Sequence, residues 1–422
     1  MLYASHPPSS FDPSETRSHC CWALSLNLAV YREIDTIALR RARENLVDRQ
    51  QGKSSRLVGR RRRDECTKMG CGNSTPETVD APTAANHVDD QLAEAAAAER
   101  FHFKVLLLGA GESGKSTFGK QLKLLNRGAL HDKEKALYRK GIRQNLVQSM
   151  QTLVEAAESL EIPLVDSRLQ EAAERVQAIG EINGDMTPAL GRDIADLWAD
   201  EGIQKTWANK AKFWILDSTP YYMKEATRLS RNDFTVTEED VLMTRLITTG
   251  VGMIEVSEPP FCYKVVDVGG QRNERKKWMH CFDDVKAVVF FISLAGYNQV
   301  MFEDSSQNRL LEALDLYEQV VSNPVFRDTL IHVLLNKTDL FEDMIKDVPL
   351  TTCFPDYTGP PQQVSPAISF IEGKCKSILA RCCPNKECTV TPICARVRKD
   401  VKHGWREVTE LIRETHGADP KR

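Results

Sequence analysis

Hydrophobic and polar positions along the chain alternate between two periods. The apolar run Val105 to Leu108 is followed by a glycine-rich stretch and then by a helix-competent segment, Phe118 to Leu125. That is the order strand, turn, helix. Further apolar runs end at polar loops, several of them glycine-bearing: Tyr263 to Asp267, Ala287 to Leu294, His332 to Asn336 and Val390 to Ala395. Helical patterns alternate with them, as in Ser306 to Val321 and Val401 to Arg413. This alternation predicts an α/β fold, a parallel sheet covered on both faces with ligand loops at the carboxyl ends of its strands. Between Ala129 and about Met243 the strand signal vanishes. Helical patterns take over at Lys135 to Ala157, Ser167 to Ile179, Gly191 to Ala208 and Thr219 to Ser230. More than a hundred residues is too long for one crossover, so an all-α domain inserted at 129–243 is expected. An Ala/Glu-rich stretch from Asp89 to Arg100 reads as an exposed helix leading into the first strand.

Composition bounds the picture. A chain of 422 residues with 41% apolar content can hold two to three domains with real cores. The net charge of −3 is uneven: residues 1–68 carry 13 Lys and Arg against 8 Asp and Glu, and the remainder 43 against 51. A basic leader before a mildly acidic body argues against nucleic acid as the main partner. No apolar run approaches the ~20 residues of a membrane-spanning helix. Five of the twelve cysteines cluster late, without the paired C-x-x-C spacing of a zinc site, and reduced thiols are expected. Residues 1–68, with Pro/Ser-rich and Arg-rich patches, read as a disordered extension. Met69-Gly70-Cys71-Gly72-Asn73-Ser74 then matches the M-G-x-x-x-S/T lipidation pattern, which acts only on an exposed N-terminal glycine.

The chemistry begins at Gly109-Ala110-Gly111-Glu112-Ser113-Gly114-Lys115-Ser116-Thr117, which is G-x-x-x-x-G-K-S/T between a strand and a helix. Glycines let successive N–H groups point inward around phosphate oxygens, and the helix dipole adds to the attraction. Lys115 supplies a cation for the β- and γ-phosphates, and the Ser116 hydroxyl can ligate Mg²⁺. Asn336-Lys337-Thr338-Asp339 closes a strand, where the Asp339 carboxylate can accept from the N1–H and 2-amino group of guanine. Adenine would leave that carboxylate unpaired. Asn336 supports the loop, and the Lys337 stem packs along the ring. Asp267-Val268-Gly269-Gly270-Gln271 ends another strand: Asp267 can hold Mg²⁺ through water, the Gly270 N–H can read the γ-phosphate and Gln271 can orient attacking water. Upstream, Thr248 offers a second Mg²⁺ ligand and Arg245 a cation acting in cis.

In these segments the chain resembles the alpha subunits of heterotrimeric G proteins. The resemblance runs from Met69 to about Asp356 and includes Asp217-Ser218 before Tyr221-Tyr222, Asp240-Val241-Leu242 into Thr244-Arg245, Asp267 through Phe282, and Ser293-Leu294-Ala295-Gly296-Tyr297 with Glu303-Asp304. It implies a Ras-like P-loop GTPase domain in two parts, 101–128 and 244–422, around the helical insert, with a lipidated N-terminal helix at 69–100. Matched by motif, Glu112, Ser113, Gly114, Lys115, Ser116, Thr117, Asp217 and Ser218 contact GTP or GDP. So do Leu242, Met243, Thr244, Arg245, Leu246, Ile247 and Thr248, then Asp267, Val268, Gly269, Gly270 and Gln271, and finally Asn336, Lys337, Thr338, Asp339 and Ala395. Ser116 and Thr248 bind Mg²⁺, and Arg245, Gln271 and Lys115 carry hydrolysis. Counted from Met69 the chain has 354 residues, a usual length for the family. This points to Met69 as the start, Gly70 as a myristoylation site and Cys71 as a palmitoylation site, two lipids being about what stable anchoring takes. The implied partners are a beta-gamma dimer, a seven-helix membrane receptor and a downstream effector, at the cytoplasmic face of the plasma membrane.

Departures from the family pattern are local. Where the family has Thr-Cys-Ala-Thr around the guanine, this chain has Ile393-Cys394-Ala395-Arg396. The Ala395 N–H can still reach the base carbonyl, but both flanking hydroxyls are gone, and faster GDP release is expected. Thr338 stands where the family often has a second lysine, and Gly417 to Arg422 lack the family's apolar tail. These changes keep open a second reading, a nucleotide-locked binding module that hydrolyses poorly. Intact Arg245 and Gln271 argue against it.

Overall fold

The computed structural model describes residues 101–128, 130–182 and 186–416. The lipidation pattern at Gly70 and Cys71, the extension at 1–68, the helix expected from Asp89 and the tail from Gly417 lie outside them. Six strands form one sheet: β1 (His102–Gly109), β2 (Val251–Glu258), β3 (Phe261–Val268), β4 (Val285–Ser293), β5 (Leu330–Asn336) and β6 (Thr389–Ile393), in the order β2-β3-β1-β4-β5-β6. All neighbours are parallel except β2, which runs antiparallel to β3, pairing Val251 with Val268. The sheet is therefore mixed rather than wholly parallel. β2 is a largely exposed edge strand without the continuous apolar run that marks its buried neighbours.

Twelve helices are described: α1 (Lys115–Arg127), α2 (Asp132–Ser159), α3 (Gln170–Gln177), α4 (Pro188–Ala199), α5 (Glu201–Ala208), α6 (Thr219–Lys224), α7 (Ala226–Leu229), α8 (Glu238–Met243), α9 (Arg309–Val321), α10 (Thr338–Asp347), α11 (Val364–Cys382) and α12 (Arg398–His416). Side chains alternate across β1 and so feed two cores. Val105 and Leu107 face α1 and α12, meeting Phe118, Leu122, Val401 and Trp405. Leu106 and Leu108 face the other side, where α9, α10 and α11 contribute Leu310, Tyr317, Ile345 and Ile371. Helices leaving β1 and its neighbours thus cover opposite faces, which opens a crevice at the carboxyl end of β1.

The helical segment α2 to α8 contains no strand among its described residues and has a separate core built from Ile142, Leu146, Met150, Ile194, Leu197 and Tyr222. The periodic run Gly191 to Ala208 divides into α4 and α5 at Asp200. This buried carboxylate accepts from the Gly202 N–H (2.7 Å) to cap α5, and from the Val165 and Asp166 amides at 2.9 and 3.0 Å. An N-cap that also ties down a distant loop outweighs continued helical periodicity. The eight cysteines among the described residues are free thiols. No helix among those residues is long and apolar enough to cross a membrane.

Candidate nucleotide cleft

At the carboxyl end of β1 the chain turns through Gly109 to Gly114 and enters α1. Gly114 has φ of 101°, and a Cβ there would lie 1.9 Å from the Asn336 amide nitrogen, so only glycine fits. It also provides no side-chain cap, leaving the first amides of α1 available at the positive end of the helix. Lys115 is buried against this loop, donating to the carbonyls of Gly109 and Ala110, both at 2.8 Å, and to the Ser113 hydroxyl at 3.3 Å. Burial brings its ammonium down to about 8, against partial support from the Asp267 charge.

Three oxygen groups meet one turn further on. The hydroxyls of Ser116 and Thr248 lie 2.7 Å apart although 132 residues separate them. Asp267, at the end of β3, is buried, and its Oδ1 has no hydrogen-bond partner. Burial raises its pKa, opposed by Lys115, Ser116 and Lys120. Two hydroxyls beside an unpaired carboxylate oxygen are hard donors of the kind Mg²⁺ takes. Elsewhere among the described residues no cluster of three His, Cys, Asp or Glu suits a metal.

Arg245 follows α8, its amide held by Asn145 Oδ1 at 2.7 Å. Its guanidinium pairs with Glu112 at 2.9 Å and lies over the rings of Trp214 (5.1 Å) and Phe302 (5.8 Å). The Trp214 indole N–H also donates to Glu112 Oε1 at 3.1 Å. Gln271 is buried against Gly111, and its peptide is fixed by the following turn, where Arg275 pairs with Glu312 at 2.5 Å and donates to the Gly270 carbonyl at 3.1 Å.

At the base end, Lys337 adopts a left-handed conformation (φ 66°) between β5 and α10. Asn336 donates to the Ser113 carbonyl at 2.8 Å and accepts from the Ala395 N–H at 2.9 Å. The Ala395 N–H, expected to reach the base, is thus engaged with Asn336. Lys337 pairs with Asp217 at 2.5 Å, and Gln299 donates to the same carboxylate at 2.7 Å. Burial pushes the Asp217 carboxyl upward, but Lys337 and Arg309 outweigh it and hold the group well below the ordinary range. Asp339 pairs with Arg396.

These groups line one cleft of about 180 Å³, open at its mouth, running from Gly111 and Gln271 to Asp339 and Ala395. Of the expected contacts, Glu112, Gly114 to Thr117, Asp217, Ser218, Leu242 to Thr248, Val268, Gly270, Gln271, Asn336, Lys337, Asp339 and Ala395 line it. Ser113, Asp267, Gly269 and Thr338 are not among its walls. Lys120, Leu216 and Leu340 line it without having been expected, together with Cys394 and Arg396 of the loop expected around the guanine. Lys120 donates to the carbonyls of Val241 (2.9 Å) and Thr244 (2.6 Å), and burial lowers its pKa to about 7. A lysine one turn after Ser116 on α1 was the signal that could have found it.

A phosphate cradle, paired hydroxyls beside a buried carboxylate, and an Asn-Lys-x-Asp loop facing them across one cleft define a nucleotide-binding protein of the P-loop GTPase class. A family model described as G-protein alpha subunit matches residues 82–412. A guanine nucleotide-binding protein alpha-8 subunit from Dictyostelium discoideum is 45% identical over 349 residues, 82% of this chain and 85% of that protein. A guanine nucleotide-binding protein subunit alpha from Emericella nidulans is 39% identical over 293 residues, 69% of this chain and 83% of that one. The G-protein complex alpha subunit gpaA of Aspergillus fumigatus is 38% identical over the same length and coverage. The chain belongs to the G-protein alpha subunit family, whose members bind guanine nucleotides and hydrolyse GTP.

Proposed function

We propose that the protein is a membrane-anchored GTPase switch that couples a seven-helix receptor to an effector and binds a beta-gamma dimer in its GDP state. The observation that carries this reading is the convergence of Lys115, Ser116, Thr248, Arg245 and Gln271 on one cleft. The hydroxyls of Ser116 and Thr248, with Asp267 behind them, would hold Mg²⁺, which when bound neutralises phosphate charge. The α1 amides and Lys115 bind the phosphates, and Gln271 positions a water for attack. Arg245 reaches the developing charge by leaving Glu112. Loss of the γ-phosphate removes the contacts that hold the loops around Thr248 and Gly270, and those loops relax. Dual lipidation at Gly70 and Cys71 would place this cycle at the cytoplasmic face of the plasma membrane.

Single-turnover hydrolysis by Gln271→Leu tests the enzymatic core. A rate at least about a hundredfold below wild type is expected, on the scale of losing one group that acts in the transition state. An unchanged rate would overturn the assignment. Mass spectrometry of the protein isolated from its own cells tests the anchoring: acyl groups on Gly70 and Cys71 support it, and their absence refutes it.

A further inference from the structure

We infer that Arg396 is a latch on the base end of the cleft, a residue that sets how tightly the base is held by competing with it for the Asp339 carboxylate. The inference rests on the reading of Asp339 as the group that recognises guanine.

The loop from β6 into α12 is fixed by three backbone bonds. The Cys394 N–H donates to Asp400 Oδ2 (2.9 Å), the Ala395 N–H to Asn336 Oδ1 (2.9 Å), and the Arg396 carbonyl accepts from Gln121 Nε2 (2.8 Å). The Arg396 side chain itself extends from this fixed backbone. It spans the mouth of the cleft, one guanidinium nitrogen donating to Asp339 Oδ2 and another lying 3.4 Å from the Met243 sulfur at the end of α8. The two partners keep 38% and 32% of their side-chain surface exposed, so water reaches the pair and it can open.

To read guanine, Asp339 must present both oxygens to N1–H and the 2-amino group. Here a charged donor already occupies one of them. Bonds from the base to this carboxylate are charged on the acceptor side alone, whereas the Arg396 pair carries opposite charges on both sides. The base must therefore displace Arg396 or share the carboxylate with it, and either way it gains less than it would from a free Asp339. The consequence is a weaker hold on the base and faster nucleotide release, brought about by the arginine that was gained. The alternative cause is the threonine hydroxyls that were lost.

Release of a fluorescent GDP analogue from the full-length protein separates these causes. Arg396→Ala and Arg396→Thr should both slow release, by about fivefold for one competing charged bond on a partly exposed site. Arg396→Lys, which keeps the charge, should release close to the wild-type rate, showing that the effect is not a failure to fold. Raising the salt from about 0.05 to 0.5 M should narrow the difference between wild type and Arg396→Ala, because an exposed pair is screened. Slowing by Thr alone would overturn the latch in favour of the lost hydroxyls, and unchanged or faster release from both variants would overturn it outright. Asp339→Asn serves as the separate check on the underlying reading. Retained preference for GDP over ADP in that variant would remove Asp339 from base recognition, whatever Arg396 does.

Discussion

The two ends of the cleft are built on different principles. At the phosphate end the functional groups are buried and held by backbone: Lys115 is 5% exposed and rests on loop carbonyls, and Asp267 is 8% exposed. At the base end the reading carboxylate sits in a partly solvated ion pair with Arg396. Burial makes charge at the first end strong and hard to rearrange. Exposure makes the second end adjustable. A chain can therefore change how tightly it holds a base through one side chain, whereas the phosphate loop admits almost no change.

The sharpest way to break this contrast is Gly114→Ala. A Cβ at 1.9 Å from Asn336, on a residue with φ of 101°, forces both the loop and the Asn336 bridge to shift. Nucleotide affinity should fall by at least about a hundredfold, since the strain and the lost bonds together are worth roughly 3 kcal/mol. Equilibrium binding measures it. A loss below tenfold would show that the phosphate end is as adaptable as the base end.

Protonation provides a second test. Burial holds Lys115 at about 8, and a bound triphosphate must raise that value because it favours the charged form. Binding then takes up a proton as pH passes above about 8, and affinity declines from there upward, while below that pH the lysine is already charged. Calorimetry at pH 8.5 in buffers of different ionisation enthalpy should report net proton uptake, and Lys115→Met should abolish most of it. Equal heats in all buffers would mean that the lysine is already fully charged before the nucleotide binds.

The smallest expected effect concerns Arg245, parked on Glu112 over the packed rings of Trp214 and Phe302. Removing one aromatic partner by Trp214→Leu takes away about 0.5–1 kcal/mol of cation–π attraction. Arg245 is then freer to leave Glu112, and single-turnover hydrolysis should rise about two- to fivefold. A slower rate would show instead that the rings aim the arginine toward the phosphates.

Much of this architecture is legible along the chain because each signal is local. The apolar runs behind β1, β4 and β5 and the G-x-x-x-x-G-K-S/T and N-K-x-D loops need no distant partner to be recognised. Where local signals mislead, packing is the reason. β2 lies at the edge of the sheet among the described residues and is exposed along most of its length, so it carries no continuous apolar run, and Asp200 splits a continuous helical run by binding the loop at Val165. α11 carries a mixed, cysteine-bearing sequence whose buried positions, Ala367, Ile371, Cys375 and Leu379, become plain only in its packing against α9.

The sequence by itself determined the five parallel strands, the inserted helical segment and the residue types of the site, because periodicity and short motifs are properties of neighbouring residues. Only the tertiary structure decided their pairings. Ser116 meets Thr248 across 132 residues, Trp214 meets Glu112 across 102, and Arg396 meets Asp339 across 57. Such contacts depend on how strands order in a sheet and which loops share its carboxyl edge, and no local pattern encodes that distance. The same rule places the parked arginine and the latch beyond sequence reading, since each becomes functional only through the partner that folding brings beside it.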